Sequence, residues 1–398
     1  MTLTVKPNTY RIPEYSLTGD LLAYLNCSLQ YRLNSKGSLP PSTPVQLWFG
    51  EFIHGVMEEG YLRWRDENQR QFPWTIQYIH DLSIEIAERL AARRLFPYSN
   101  VFCMSNTTGD PQRGCPDTNH PHQLIANRRA IESLNTWGPH LFPLIDNNEV
   151  RLEGLRSMPN FTQGVSRSPY YAITGVADVI SSVKLGAASS DNLLLKYLNQ
   201  DRNVQEIIKG MSEFEIIIDY KGMRRPSLSD PISKPHEWQL LTYIWLREQQ
   251  LRSMGNQPRS IAAAVIFYLN ELEPIGEDYL RLKSEVQTME TDVMPTGNDL
   301  NTLMNTTDSN SIRLSKSYRE ARSIRILPYN QERIQSALNS FDGVVDKIET
   351  RVLNEMRGIN GLRQCWQEST PKERTCTACD AKTYCINPDP RPYPPTVP

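Results

Sequence analysis

Short apolar runs set off by polar stretches give this chain its plan. Gly175-Val176-Ala177-Asp178-Val179-Ile180 and Glu215-Ile216-Ile217-Ile218-Asp219-Tyr220-Lys221 are rich in β-branched residues and read as strands. Each carries an acid at or near its end. Ala262-Ala263-Ala264-Val265-Ile266-Phe267-Tyr268-Leu269 reads as a buried strand, and a further strand is expected near Glu149 to Glu153. Apolar residues at helical spacing predict helices over Ser16 to Leu33, Val45 to about Asp66, about Ile76 to Leu95, about Gln123 to Trp137, about Pro235 to Gln250, and roughly Gln331 to Met356. A strand, a helix and a strand between 215 and 269 form a crossover, which is right-handed in an α/β sheet. The 40 residues between Asp178 and Asp219 are too many for a hairpin loop, so an insertion containing Leu193 to Met211 is expected there.

Length and composition leave this picture standing. The 398 residues suffice for a full core, and 39% hydrophobic with 22% charged residues describe an ordinary globular protein. No apolar run reaches the ~18 residues of a spanning helix. Residues Met1 to Arg11 lack the basic-then-apolar pattern of a secretory signal, which points to a cytoplasmic protein. A net charge of −2 gives no global attraction to nucleic acid, so any such affinity must come from local basic patches. Arg313, Lys316, Arg319, Arg322 and Arg325 recur at three-residue intervals and offer either a nucleic-acid path or a solvated helix face.

The candidate chemistry lies at the strand ends. Asp178 and Asp219 can hold a hard divalent cation through oxygen, and Lys221 can orient an attacking water beside a scissile phosphate. His54 and Glu58 share one face of a predicted helix; a lone helical His is more often a satisfied structural residue than a ligand. Cys376, Cys379 and Cys385 stand in a C-x2-C-x5-C pattern, an incomplete set for a four-ligand site, and Cys27 is the natural fourth. Zinc held by four cysteines is the alternative to an iron–sulfur cluster, and Cys365 is a spare ligand outside the pattern. Cys103, Cys115, His120 and His122 are also zinc-ligand types, though their spacing is not that of a finger.

Taken together, Asp178 and Asp219-Tyr220-Lys221 resemble the PD-(D/E)xK nuclease superfamily. Gly50-Glu51-Phe52-Ile53-His54 is similar to the G-x-x-x-H of its RecB-like branch, and Gln239 with Tyr243 to that branch's Q-x-x-x-Y. One N-terminal and three C-terminal cysteines resemble the iron–sulfur members, which include the AddB nuclease domain and the CRISPR-associated nucleases that trim prespacers. The resemblance implies a restriction-endonuclease-like α/β fold with a central mixed sheet. It implies Mg²⁺ or Mn²⁺ held by His54, Asp178, Asp219 and the Tyr220 carbonyl. Lys221, Gln239 and Tyr243 complete the catalytic set, and a [4Fe–4S] cluster on Cys27, Cys376, Cys379 and Cys385 clasps the chain ends.

The expected organisation is a helical region over 1–145, a nuclease core over 146–275, an insertion or mobile segment over 276–330, and a C-terminal helix, cysteines and Pro-rich tail over 331–398. The expected partner is DNA, single-stranded or bearing overhangs, with Trp48, Tyr220 and Tyr243 as stacking candidates. The chain has no G-x-x-x-x-G-K phosphate loop, so a helicase, an integrase or another defence-complex protein would be a separate chain. The competing expectation is a silent DNA-binding or scaffolding subunit. The intact Asp178, Asp219 and Lys221 count against that reading.

Overall fold

A six-stranded mixed sheet carries the molecule, with strand order β1-β3-β4-β5-β6 and β2 paired to the free side of β3. The computed structural model describes residues 11–35, 45–97, 121–186, 189, 191–255, 260–358, 361–366, 376 and 385. β1 (Glu14–Ser16) leads into a π-helical turn (Leu17–Leu22), α1 (Ala23–Asn26) and α2 (Ser28–Ser35). The single helix expected over Ser16 to Leu33 is therefore broken. Cys27 lies between α1 and α2 in extended backbone, with φ −160°.

Three long helices follow: α3 (Val45–Asp66), α4 (Ile76–Ala92) and α5 (Pro121–Leu141). Thr75 caps α4 by accepting from the Tyr78 N–H at 3.3 Å. Next come β2 (Ile145–Ser157), β3 (Tyr170–Lys184), α6 (Leu193–Gln200), α7 (Arg202–Ile208) and β4 (Glu213–Lys221). The crossover is made by α8 (Ser233–Ser253) leading to β5 (Ile261–Tyr268), which pairs parallel with β4. The chain continues through α9 (Gly276–Gln287), α10 (Gly297–Asn305), α11 (Lys316–Ser323), β6 (Ile324–Pro328), α12 (Gln331–Met356) and α13 (Leu362–Trp366).

The apolar run of β4 is buried on both faces, which explains why it shows no alternation. Phe214, Ile216, Ile218 and Tyr220 join a core with α3, α4 and α5, while Ile217 joins a second core with α8 and α12. Burying each such side chain contributes roughly 1.5–3 kcal/mol. Within 276–330, expected as an insertion or mobile segment, residues Gly297–Asn305 form α10. It packs through Leu303 onto Tyr279, Leu282 and Tyr318 in a small core of its own.

One irregularity of the sheet creates the site. β2 runs along β3 from Tyr170 to Ser181. On the other side of β3, β1 pairs only with Ala172–Thr174, and β4 only from Val179 onward. Between them, Gly175 to Asp178 have no neighbouring strand on that side among the described residues, and a cleft opens there.

Candidate active site

The cleft, about 720 Å³, is lined by α3 and α4, by β2 and β3, and by the end of β4 with Gln239 and Tyr243 of α8. It brings His54, Asp178, Asp219, Lys221, Gln239 and Tyr243 together. Asp178 is one position past the last β3–β4 pair, Val179 with Ile218. Its Oδ2 replaces the missing ladder bond by accepting from the Tyr220 N–H at 2.7 Å. His54 Nδ1 approaches the same oxygen at 3.3 Å. Burial works against the Asp178 charge, but His54, the Tyr220 N–H and Lys221 outweigh it and hold the carboxyl below its usual range. His54 shows the converse: burial opposes its charge, yet Asp178 and Asp219 raise it to about 9.

Asp219 and Lys221 emerge from the end of β4 and meet α8. Lys221 Nζ lies 2.6 Å from Asp219 Oδ2 and donates to Gln239 Oε1 at 2.9 Å. Gln239 Nε2 donates to Asp219 Oδ1 and to the Tyr243 hydroxyl, both at 3.1 Å. Burial pushes the Asp219 carboxyl above its usual range; the Asp178 charge adds to this, and Lys221 opposes it. Although Asp219 is buried and beside an ammonium, no hydrogen-bond donor is aligned on its Oδ2.

Two glycines permit this packing. A Cβ on Gly175 would stand 2.7 Å from the Tyr243 ring, so only glycine lets α8 close over the interrupted side of β3. A Cβ on Gly222, just after Lys221, would stand 2.9 Å from the Phe49 carbonyl of α3. The end of β4 is thereby pressed against the helix that bears His54.

Glu149 was given no role in the sequence reading. Its carboxylate oxygen lies with a ring nitrogen of His54 and a carboxylate oxygen of Asp178, all within 4.8 Å of one another. In the β2–β3 register it falls opposite Asp178, between the pairs Asn148–Val179 and Val150–Ala177. Its φ of +51° is a left-handed conformation that a non-glycine residue adopts at a cost, and such outliers cluster at functional sites. Although Glu149 is an exposed residue, partial shielding from water, with the charges of Asp178 and Glu58, raises its carboxyl to about 7. An acid at the start of a predicted strand was the available signal, but it acquires meaning only from the register with β3.

Other expectations change. Trp48, Tyr220 and Tyr243 are 1%, 3% and 1% exposed, so none offers a ring face to a base. Of the three-residue arginine series, Arg322 is buried on Glu271 at 2.7 Å. Arg319 donates to the Leu272 carbonyl, and Arg325 approaches Asp292 at 3.8 Å. They hold α11 and β6 to the body. Cys27, Cys376 and Cys385 are half-buried. Cys379, Cys103, Cys115 and His120 lie outside the described residues. His122 Nδ1 lies 2.6 Å from the Pro97 carbonyl oxygen.

No curated protein matches the chain. Among the described residues, no helix is long and apolar enough to cross a membrane. Residues 201–386, somewhat under half of the chain, match the family model described as the PD-(D/E)XK nuclease superfamily, whose members are typically metal-dependent nucleases. That span holds Asp219, Lys221, Gln239 and Tyr243, while His54, Glu149 and Asp178 reach the same cleft from outside it. The mixed sheet with helices on both faces is the restriction-endonuclease-like α/β arrangement that this match calls for.

Proposed function

We propose that the chain is a divalent-metal-dependent deoxyribonuclease that hydrolyses phosphodiester bonds in single-stranded DNA or in overhangs at duplex ends. The observation that carries this reading is the locked set of Asp219, Lys221 and Gln239 beside Asp178 in one cleft. A lysine tied on one side to a carboxylate and on the other to an amide is fixed in place, which suits it to a positional role.

The donors suit a hard cation. Carboxylate oxygens of Asp178, Asp219 and Glu149 with His54 supply the O-rich set that Mg²⁺ and Mn²⁺ prefer, and the Tyr220 carbonyl is a further candidate. Asp219 Oδ2, buried without an aligned donor, has capacity left for such a ligand. When bound, the cation supplies Lewis-acid polarisation of the phosphate and activation of water. Lys221 orients the water for in-line attack and offsets charge developing on the phosphate. Gln239 keeps Lys221 directed at that position, and the Tyr220 N–H holds the Asp178 carboxylate aimed into the cleft.

A [4Fe–4S] cluster on Cys27, Cys376, Cys379 and Cys385 belongs to the same reading. Its support is that α2, which directly follows Cys27, meets α12 and α13, the helices that precede Cys376 in the chain: Ser28 Oγ donates to the Trp366 carbonyl at 2.6 Å, and Arg32 pairs with Glu355 at 2.6 Å. The biological setting follows from the resemblance alone and is DNA processing in CRISPR adaptation, recombinational repair or phage defence.

The test is cleavage of an end-labelled single strand and of blunt and overhanging duplexes with Mg²⁺, Mn²⁺ or chelator. Wild type should cut the single strand and the overhang, and only with metal. Lys221→Ala should cost about a hundredfold or more while melting as a folded protein. Metal-independent cutting, or an unimpaired Lys221→Ala variant, would remove the reading.

A further inference from the structure

With the aromatic side chains buried, the cleft must hold a strand by other means. Three arginines line it: Arg89 on α4, Arg93 just past the end of that helix, and Arg151 on β2. Their side chains are 58%, 61% and 72% exposed. Arg89 and Arg93 are one helical turn apart, and Arg151 reaches the cleft from another element, β2, two residues beyond Glu149. Among the described residues each meets one carboxylate: Arg89 Glu59 at 2.8 Å, Arg93 Glu51 at 2.8 Å, and Arg151 Glu14 at 3.3 Å. Exposed pairs of this type contribute little and exchange readily for phosphate, which a guanidinium can grip with two parallel bonds. Leu47 and Val176, 40% and 42% exposed, supply apolar surface in the same cleft.

We propose that Arg89, Arg93 and Arg151 form a phosphate track that leads one DNA strand across the cleft to Asp178 and Lys221. The strand is then held by its backbone, with Leu47 and Val176 against sugars and base edges, and not by ring stacking. This inference rests on the nuclease reading above. A backbone reader is indifferent to sequence, and its affinity reports the number of phosphates neutralised. For single strands each neutralised phosphate adds about 0.7 to the slope of log affinity against log salt.

The experiment is fluorescence anisotropy of a fluorescein-labelled single strand of about 15 nucleotides, in chelator, across a salt series. Replacing all three arginines by glutamine should make the slope shallower by about 2 and weaken binding tenfold or more at moderate salt. The lysine triple variant should keep the wild-type slope. An oligonucleotide with abasic positions should bind within a few-fold of the intact one. If wild type cuts DNA but the glutamine variant retains the full slope, the track is overturned while the nuclease stands. A large loss of affinity on removing bases would overturn the backbone reading. Wild type that neither binds nor cuts DNA removes both proposals at their common root.

Discussion

Through Oε1 the Gln239 side chain accepts from Lys221, and from Nε2 it donates to Asp219 and to the Tyr243 hydroxyl. Two of these bonds involve charged groups, and such bonds contribute about 1.5–3 kcal/mol each. The one of them that bears on the attack is the bond to Lys221, so Gln239→Ala should slow single-turnover cleavage by about 10- to 100-fold, with Lys221 present but no longer held. Tyr243→Phe removes only a neutral bond and should cost less than about tenfold. Thermal melting of both variants separates lost positioning from lost folding. If the two slow cleavage equally, Lys221 is not positioned through Gln239. Asp178, Asp219 and Lys221 were legible in the sequence from their places in two strands, whereas His54, Gln239 and Tyr243 were singled out through the family resemblance. Glu149 was not, since its part depends on cross-strand register and on a left-handed backbone that no local pattern announces. The aromatics misled for a related reason: a Tyr or Trp beside a motif reads as a platform until packing shows its ring facing the core.

Between elements, the loop after Lys221 is tied to the α9–α11 segment by buried charges. Arg225 donates its N–H to Glu271 at 2.7 Å and its guanidinium to Asp292 at 2.5 Å. Arg322 grips the other Glu271 oxygen at 2.7 Å, and Arg224 meets Glu285 at 2.5 Å. Burial pushes the Glu271 carboxyl up, but Arg322, Arg224 and the Arg225 N–H bring it below its ordinary value. A carboxyl with a depressed pKa in the folded state adds stability above its unfolded pKa, about 4.3, and loses it as pH falls through the folded value. Glu271→Gln should thus lower stability by about 3–5 kcal/mol near neutrality, the cost of breaking a buried pair. The gap in melting temperature between wild type and variant should narrow below about pH 4. A gap that stays constant to the acid limit would show that Glu271 contributes through shape alone. The periodic arginines were visible in the sequence, but their partners come from Glu271, Glu285 and Asp292 on other elements, so the series looked like a surface path. Elements with strong apolar periodicity, such as α3 and β4, were legible nearly to the residue. The three-residue β1 was missed because it is too short to carry a pattern and is fixed only by its neighbour β3.

Across the described part of the molecule, helices far apart in sequence meet on one side. α2 follows Cys27 directly and packs on α13, with Tyr31 and Trp366 rings 6.0 Å apart and Trp366 Nε1 donating to Glu355 at 2.7 Å. The same Glu355 pairs with Arg32, and Arg351 reaches Ser28 Oγ at 2.6 Å. This closure exists in protein contacts alone, so a cluster at Cys27, Cys376, Cys379 and Cys385 would reinforce it without having to create it. Cys365 also borders this core, on α13, which makes it the natural control. Purified without oxygen, the chain should be brown and carry about four irons. Cys27→Ser should lose the iron and the colour and melt at a lower temperature, yet still unfold cooperatively, because the Ser28, Arg32 and Trp366 contacts remain. Cys365→Ser should keep both iron and colour. Iron retained by Cys27→Ser and lost by Cys365→Ser would move the fourth ligand to α13. Colourless wild type with one zinc would replace the cluster by a zinc clasp on the same four sulfurs, since thiolates in a tetrahedral set suit either.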